Sequence, residues 1–258
     1  INKAKTLEII YEAEPGLNTT PSQETTGYIT YSDKYLYVAL KAKRERVIAP
    51  LTTRDNSALF RGDFAGITID SYGDARNNIL LISNPSGSQT DGIRLPGTSF
   101  GGGLNINLNI NFDFQSSGSI TDEGYEIEFL IPLSELPFPN GKDQSWKFEI
   151  YTGYIDDENE GVEVRAASSR SSRDASCQLC LIDHIIVMND IEIEKKLDFL
   201  PYVSSNISGK RDKYYDRINY ETPELNYGIG VNIELNKNLS LEATLNPDFS
   251  QVESDATK

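Results

Sequence analysis

The chain has 258 residues, of which 38% are hydrophobic and 24% charged, and a formal net charge of −15. That size supports one large β domain, or one domain with an appendage. The acidity argues against a nucleic-acid partner, which needs clustered Lys and Arg, and no apolar run approaches the ~20 residues of a transmembrane helix. Surplus carboxylates fit a secreted or surface protein and offer ligands for Ca²⁺. Simple solvation is the plainer reading of the same charge. The chain begins at Ile1 with no initiator Met and no signal peptide, and is read as a processed or truncated fragment. It holds one His (His184), one Met (Met188), one Trp (Trp146) and two Cys. A Ser-His-Asp or Cys-His mechanism would rest on His184 alone. No pair among the 39 acidic residues is singled out as a glycosidase dyad, so a non-catalytic protein is expected.

Alternation of period two runs through the chain and predicts an all-β protein. In 34–43, Leu36, Val38, Leu40 and Ala42 share one face, and Tyr35, Tyr37 and Lys41 the other. Residues 63–83 read as two strands joined by a polar turn at Gly73-Asp74. Residues 83–92 are turn chemistry. Residues 100–114 open with three glycines and then alternate Leu or Ile with Asn. In 124–133, Ile127, Phe129 and Ile131 point inward, Glu126 and Glu128 outward, and Pro132 ends the strand or sets it at an edge. Residues 145–155 alternate again. Short helices are expected only at 134–137 or 183–190. Short strands between Gly, Pro, Asn and Asp turns predict an antiparallel β-sandwich over 1–190. Beyond residue 190 a polar, Tyr-rich linker leads to two further alternating runs. One carries Val231, Ile233 and Leu235. The other carries Leu239, Leu241, Ala243 and Leu245, with Lys237-Asn238 between them. An edge hairpin and an outer-membrane barrel hairpin share this pattern.

Several stretches resemble one family in order. "TLNPDFSQVESD" (244–255) resembles a signature at the start of the barrel in large Gram-negative outer-membrane proteins. In that family a soluble domain similar to family 9 carbohydrate-binding modules precedes a C-terminal β-barrel. Residues 11–43, 54–92 and 124–138 resemble the module's strands. "CQLC" followed by "FLPYV" resembles the linker to the barrel. The resemblance implies a carbohydrate-binding-module or jelly-roll-like sandwich over 1–190, then over 191–258 a linker and the first strands of a truncated barrel. It implies a module outside the cytoplasm, on the periplasmic or cell-surface side of the outer membrane, that captures an oligosaccharide for its barrel. A structural or protein-interaction domain capping or plugging the barrel is the alternative. The chain departs from the family in having one tryptophan, and in "LPGTSFGGGLNINLNINFDF" where the family carries an Asp/Trp-rich stretch.

Sugars are held by aromatic faces with planar polar groups at their edges. Trp146, Tyr151 and Tyr37 are therefore the candidate stacking residues. Trp146 and Tyr154 share the parity of Phe148 and Ile150 and so face the core on a plain reading. Tyr151 and Tyr37 project to the opposite, more exposed faces. Arg54, Asp55, Asp63, Asp70, Asp74, Arg76 and Asp91 match the family pattern residue by residue. Arg54, Asp55 and Arg76 are candidate ligand partners, and Asp63, Asp70, Asp74 and Asp91 candidate Ca²⁺ ligands. Pinning of loops and turns is the alternative for all seven. "DDENEG" (156–161) is no EF-hand, because Ala167 stands at position twelve. Cys177, Cys180 and His184 form Cys-x₂-Cys-x₃-His. A local disulfide, free thiols, and a zinc site completed by Asp183 all remain open. His184 and Met188, spaced i, i+4, invite a haem reading against ordinary packing.

Overall fold

The computed structural model describes residues 4–98, 104–156, 161–191, 197–211, 214, 217–236 and 239–247. The chain divides into two compact units, Ile1–Ile193 and Glu194–Lys258. The first unit holds thirteen strands among the described residues: β1 (Lys5–Glu8), β2 (Tyr11–Glu14), β3 (Thr25–Tyr31), β4 (Tyr35–Lys43), β5 (Phe64–Asp70), β6 (Asn78–Ser83), β7 (Gln89–Thr98), β8 (Leu104–Asn107), β9 (Gln115–Thr121), β10 (Gly124–Pro132), β11 (Gln144–Asp156), β12 (Val162–Ala167) and β13 (His184–Met188). They form two antiparallel sheets. One has the order β1-β3-β4-β10-β9, the other β2-β12-β11-β5-β6-β7-β8. The long β11 pairs β5 along one side. On its other side β13 pairs its first half and β12 its second.

Alternation sets which side chains meet between the sheets. Leu36, Val38, Leu40 and Ala42 of β4 and Tyr125, Ile127, Phe129 and Ile131 of β10 are buried. They form one core with Ile67 and Ile69 of β5 and Phe148 and Ile150 of β11. This is a sandwich closed by two inner faces. Trp146 lies in the same core and is fully buried. Its Nε1 donates to Gln144 Oε1 at 3.1 Å, and its ring centroid sits 5.3 Å from that of Phe138. Trp146 is therefore a packing residue and no sugar platform, because even-numbered positions of β11 face inward.

Three expectations from the sequence change. The segment 183–190 is strand and no helix, because its β-branched run pairs with β11. His184 Nε2 lies 3.0 Å from the Ser168 carbonyl and Met188 is fully buried in the main core, which is ordinary packing and not a haem site. Of 134–137, only Ser134 and Glu135 fall in a short 3₁₀ turn, Leu133–Glu135. The alternation of 104–114 stops at Asn107, whose Oδ1 accepts from the Asn109 N–H at 3.0 Å and turns the chain. Residues 99–103 and 157–160, the latter carrying most of the acidic turn, lie outside the described residues.

In the second unit β14 (Leu197–Asn206), β17 (Glu224–Asn236) and β18 (Leu239–Leu245) make an antiparallel sheet in that order. Between β14 and β17, β15 (Gly209–Arg211) pairs β16 (Ile218–Tyr220). The register sets Leu197, Phe199 and Val203 opposite Ile233, Val231 and Tyr227. It sets Ile229, Val231 and Ile233 opposite Leu245, Ala243 and Leu241. One face is thus apolar across all three strands. The other carries Asp198, Tyr202, Asn226, Gly228, Asn232, Glu242 and Thr244 by parity, with Leu200 among them. Leu197, Phe199, Val203, Tyr227, Leu241 and Leu245 are all more than half exposed.

Trp146→Ala should cost about 3–5 kcal/mol of unfolding free energy, since a large buried ring leaves a cavity between two sheets. Urea denaturation of the variant checks this. A loss below about 1 kcal/mol would contradict the core assignment.

Candidate functional site

The outward face of β5 and β11 is not solvated. Phe64 and Tyr151 lie on it and are buried, joined by Leu59, Leu80, Ile82 and Ala167 in a second apolar cluster. Two glycines make room for the rings. A Cβ on Gly66 would stand 2.8 Å from the Tyr151 hydroxyl, and one on Gly153 would stand 2.2 Å from the Phe64 ring. The 3₁₀ turn Ser57–Arg61 brings Phe60 over them. Asn56 caps that turn, its Oδ1 accepting from the Ala58 N–H at 2.9 Å. Phe60 meets Phe64 edge-on at 5.2 Å, and Phe64 meets Tyr151 edge-on at 6.4 Å.

These rings line a cavity of about 480 Å³, with Arg94, Ile106, Glu149, Glu163 and Arg165 among its walls. Arg94 Nη1 donates to Glu149 Oε2 at 3.0 Å, and both side chains are largely buried. Burial pushes the Glu149 carboxyl above its ordinary range, and the Arg94 guanidinium partly offsets this. Arg165 lies over the Phe64 ring at 5.5 Å, with Glu14 and Glu163 at 3.6 and 3.8 Å from its nitrogens. The Tyr151 hydroxyl is buried and finds no hydrogen-bond partner among the described residues. Burial raises its pKa well above the usual tyrosine range. A buried hydroxyl without a partner costs about 1–3 kcal/mol. The cavity therefore combines aromatic walls with a fixed guanidinium–carboxylate pair.

The candidate residues scatter around this cavity. Tyr151 lines it. Although it projects away from the core, as its parity requires, Phe60 and Ile106 pack against its cluster, so it is not an exposed strand tyrosine. Tyr37 lies on the outward face of the other sheet. There it lines a separate groove of about 460 Å³ with Tyr28, Leu130 and Glu128. Tyr37 and Tyr151 occupy opposite outer faces of the sandwich and cannot hold one ligand together. Arg54 pins a loop, with Nη2 2.6 Å from Asp91 Oδ1 and donating to the Phe112 carbonyl at 2.6 Å. Asp55 Oδ1 accepts from the Asp91 N–H at 3.2 Å. Arg76 is exposed, and its N–H closes a turn on Asp74 Oδ1 at 3.0 Å.

The four aspartates proposed for Ca²⁺ do not converge. Asp63 pairs with buried Arg44, with Oδ1 accepting from Nε at 3.0 Å, and its Oδ2 accepts from the Ile48 N–H at 2.7 Å. Asp70 accepts from the Gly73 and Ala75 N–H groups at 2.8 and 3.0 Å. Asp91 takes Arg54 and the Phe112 N–H, and burial lifts its pKa. Asp74 holds the turn at Arg76. Among the described residues no three His, Cys, Asp or Glu side chains are grouped to hold a metal. Cys177 and Cys180 are bonded as a disulfide, which takes the thiolates away from a zinc site. Beside them Leu179 and Ile182 bury against Ala75.

The sequence reading missed Phe60, Phe64, Arg94, Glu149 and Arg165. One signal was available: Glu149, Tyr151 and Gly153 share the outward parity of β11. Nothing local announces that β7 carries Arg94 to Glu149, or that a 3₁₀ turn folds over that face.

Known proteins match the chain loosely. A family model described as a domain of unknown function (DUF5916) matches residues 194–258, the span of the second unit. No curated protein matches. Among solved structures, a family 9 carbohydrate-binding module from Caldicellulosiruptor kristjanssonii in complex with cellotriose is similar at 15% identity and TM-score 0.48, covering 70% of this chain and 80% of that one. Its complex with glucose matches at 15% and 0.48 over 75% and 86%. A proposed carbohydrate-binding protein from Bacteroides uniformis matches at 14% and 0.49 over 70% and 84%. At these identities and scores no ligand or residue role carries across.

Tyr151→Phe should leave the ligand-free protein as stable or up to about 1–3 kcal/mol more stable, because it removes an unpartnered buried hydroxyl and keeps the ring. A clear destabilisation in urea melts would show that the hydroxyl has a partner. The raised Glu149 pKa fixes a second sign. Its contribution is fully present below the ordinary value of 4.5 and is lost as pH rises through the raised one. The stability of the wild type relative to Glu149→Gln should therefore be greatest below pH 4.5 and fall above it. Melts across that range check this, and a gap that widens with pH would reverse the assignment.

Proposed function

We propose that the first unit is a non-catalytic carbohydrate-binding module whose ligand occupies the cavity of Tyr151, Arg94 and Glu149. The supporting observation is an aromatic-walled cavity edged by a fixed Arg–Glu pair. A sugar ring offers C–H faces to Phe60 and Phe64. Its vicinal hydroxyls can donate to Glu149 and accept from Arg94. The volume lies within the usual range for small-ligand sites. The charges of the walls largely offset one another, which favours a neutral glycan.

The second unit, on this reading, is the start of an outer-membrane β-barrel, and the module works outside the cytoplasm. A three-stranded sheet with one largely apolar face, one face largely of polar residues and glycine, and little core of its own fits a barrel wall in lipid. No helix among the described residues is long and apolar enough to cross a membrane, which says nothing of a strand-built span.

A neutral oligosaccharide panel against the whole protein tests the module. A true ligand raises the melting temperature progressively with its concentration, by about 2.7 kcal/mol of added stability at a hundred times Kd. Arg94→Gln should weaken the affinity read from that shift tenfold or more, and Tyr37→Ala should leave it unchanged. Loss with Tyr37→Ala alone would move the site to the other sheet. No shift with any glycan would favour the structural alternative. For the barrel, extraction should require detergent, and unheated samples should migrate differently from heated ones in SDS gels. A protein freed from membranes by salt or alkali would refute it.

A further inference from the structure

The connections in the second unit differ sharply in length. β17 ends at Asn236 and β18 begins at Leu239, so two residues join them. β14 ends at Asn206 and β17 begins at Glu224, so seventeen residues join those, from 207 to 223. Part of the long connection is paired. It holds the β15–β16 hairpin, with Gly209 opposite Tyr220 and Arg211 opposite Ile218. Lys210 Nζ lies 3.2 Å from Glu221 Oε1. Tyr214 is almost fully exposed, and Tyr220 largely so. Polar residues predominate in it, with Lys210, Arg211, Asp212, Lys213, Asp216, Arg217 and Glu221.

Outer-membrane barrels have short turns on the periplasmic side and longer loops outside. β14 pairs β17 over its full ten residues, which is the length needed to cross the bilayer in a tilted strand. Phe199 stands near one end of the apolar face and Tyr227 near the other, as interfacial aromatics do. The two-residue turn then marks the periplasmic end of β17 and β18, and antiparallel pairing puts the start of β14, Leu197, at that same end.

We infer that the 207–223 hairpin is an extracellular loop and that the chain enters the barrel from the periplasm, so the Tyr151–Arg94–Glu149 cavity belongs to a periplasmic module. This rests on the barrel reading. It narrows the ligand class to neutral glycans present in the periplasm, whether resident there or already carried across the outer membrane. The disulfide Cys177–Cys180 suits that oxidising compartment.

Cysteine labelling of the full protein in intact Gram-negative cells decides the sidedness. Tyr214→Cys reports the long connection, and Asp122→Cys, on the exposed β9–β10 turn, reports the module. The native cysteines are bonded and serve as the unlabelled background. With a maleimide that cannot cross the outer membrane, Tyr214→Cys should label in intact cells. Asp122→Cys should label at least tenfold more after the outer membrane is permeabilised than before. The reverse pattern, labelling of both in intact cells, or of neither until permeabilisation would each overturn the orientation. Detergent-dependent extraction of the same samples keeps the two readings apart. A protein that needs detergent but labels in the wrong pattern refutes the orientation alone. One that needs none refutes the barrel.

Discussion

Arg44 and Asp63 form an ion pair in which both side chains are almost wholly buried. Arg44 follows β4 of one sheet, and Asp63 precedes β5 of the other. The guanidinium also reaches Thr25 and Thr152 at 3.2 and 3.3 Å and lies 4.2 Å from the Tyr154 ring centroid. Removing one partner of such a pair strands a charge, at a cost of about 3–5 kcal/mol. Thr152 and Tyr125, in the same network, donate to the Phe64 carbonyl at 2.9 and 3.3 Å. The network therefore sets the spacing of the two sheets and the position of Phe64. Phe64 in turn is a wall of the candidate site.

The site exists because an outward face was covered. Strand alternation sends Glu149 and Tyr151 away from the core, and in a bare sandwich they would be solvated. The 3₁₀ turn over Phe60 and the strand carrying Ile106 close over them. Gly66 and Gly153 let the rings lie against the sheet. Burial then does the chemistry. It raises the Glu149 carboxyl, it makes the pairing with Arg94 worth more than at the surface, and it leaves the Tyr151 hydroxyl short of a partner.

The two units solve burial in different ways. In the first, both sheets turn their apolar faces toward each other. In the second, a single sheet carries most of its apolar residues on one face, and many of them are exposed. Tyr202 lies over Gly228 on the opposite face, where a Cβ would come within 2.3 Å of its hydroxyl. That aromatic–glycine pair helps hold register in a sheet with little packing.

Local pattern determined much of this protein. Period-two alternation was enough to place β4, β5, β6, β10 and β11, to send Val38, Ile127 and Trp146 inward, and to lay out both faces of the final hairpin. Alternation depends only on near neighbours, so it survives in one dimension. The same logic failed at 183–190, where pairing with β11 outweighed the short-helix reading. Tertiary structure alone decided the roles of the charged residues. Asp63, Asp70, Asp74 and Asp91 look alike in sequence as turn carboxylates, yet each meets a different set of donors. Arg94 and Glu149 lie 55 residues apart and pair only because β5 and β6 lie between their strands. A carboxylate's partner and its desolvation are set by what folds over it, and no local stretch of sequence carries that.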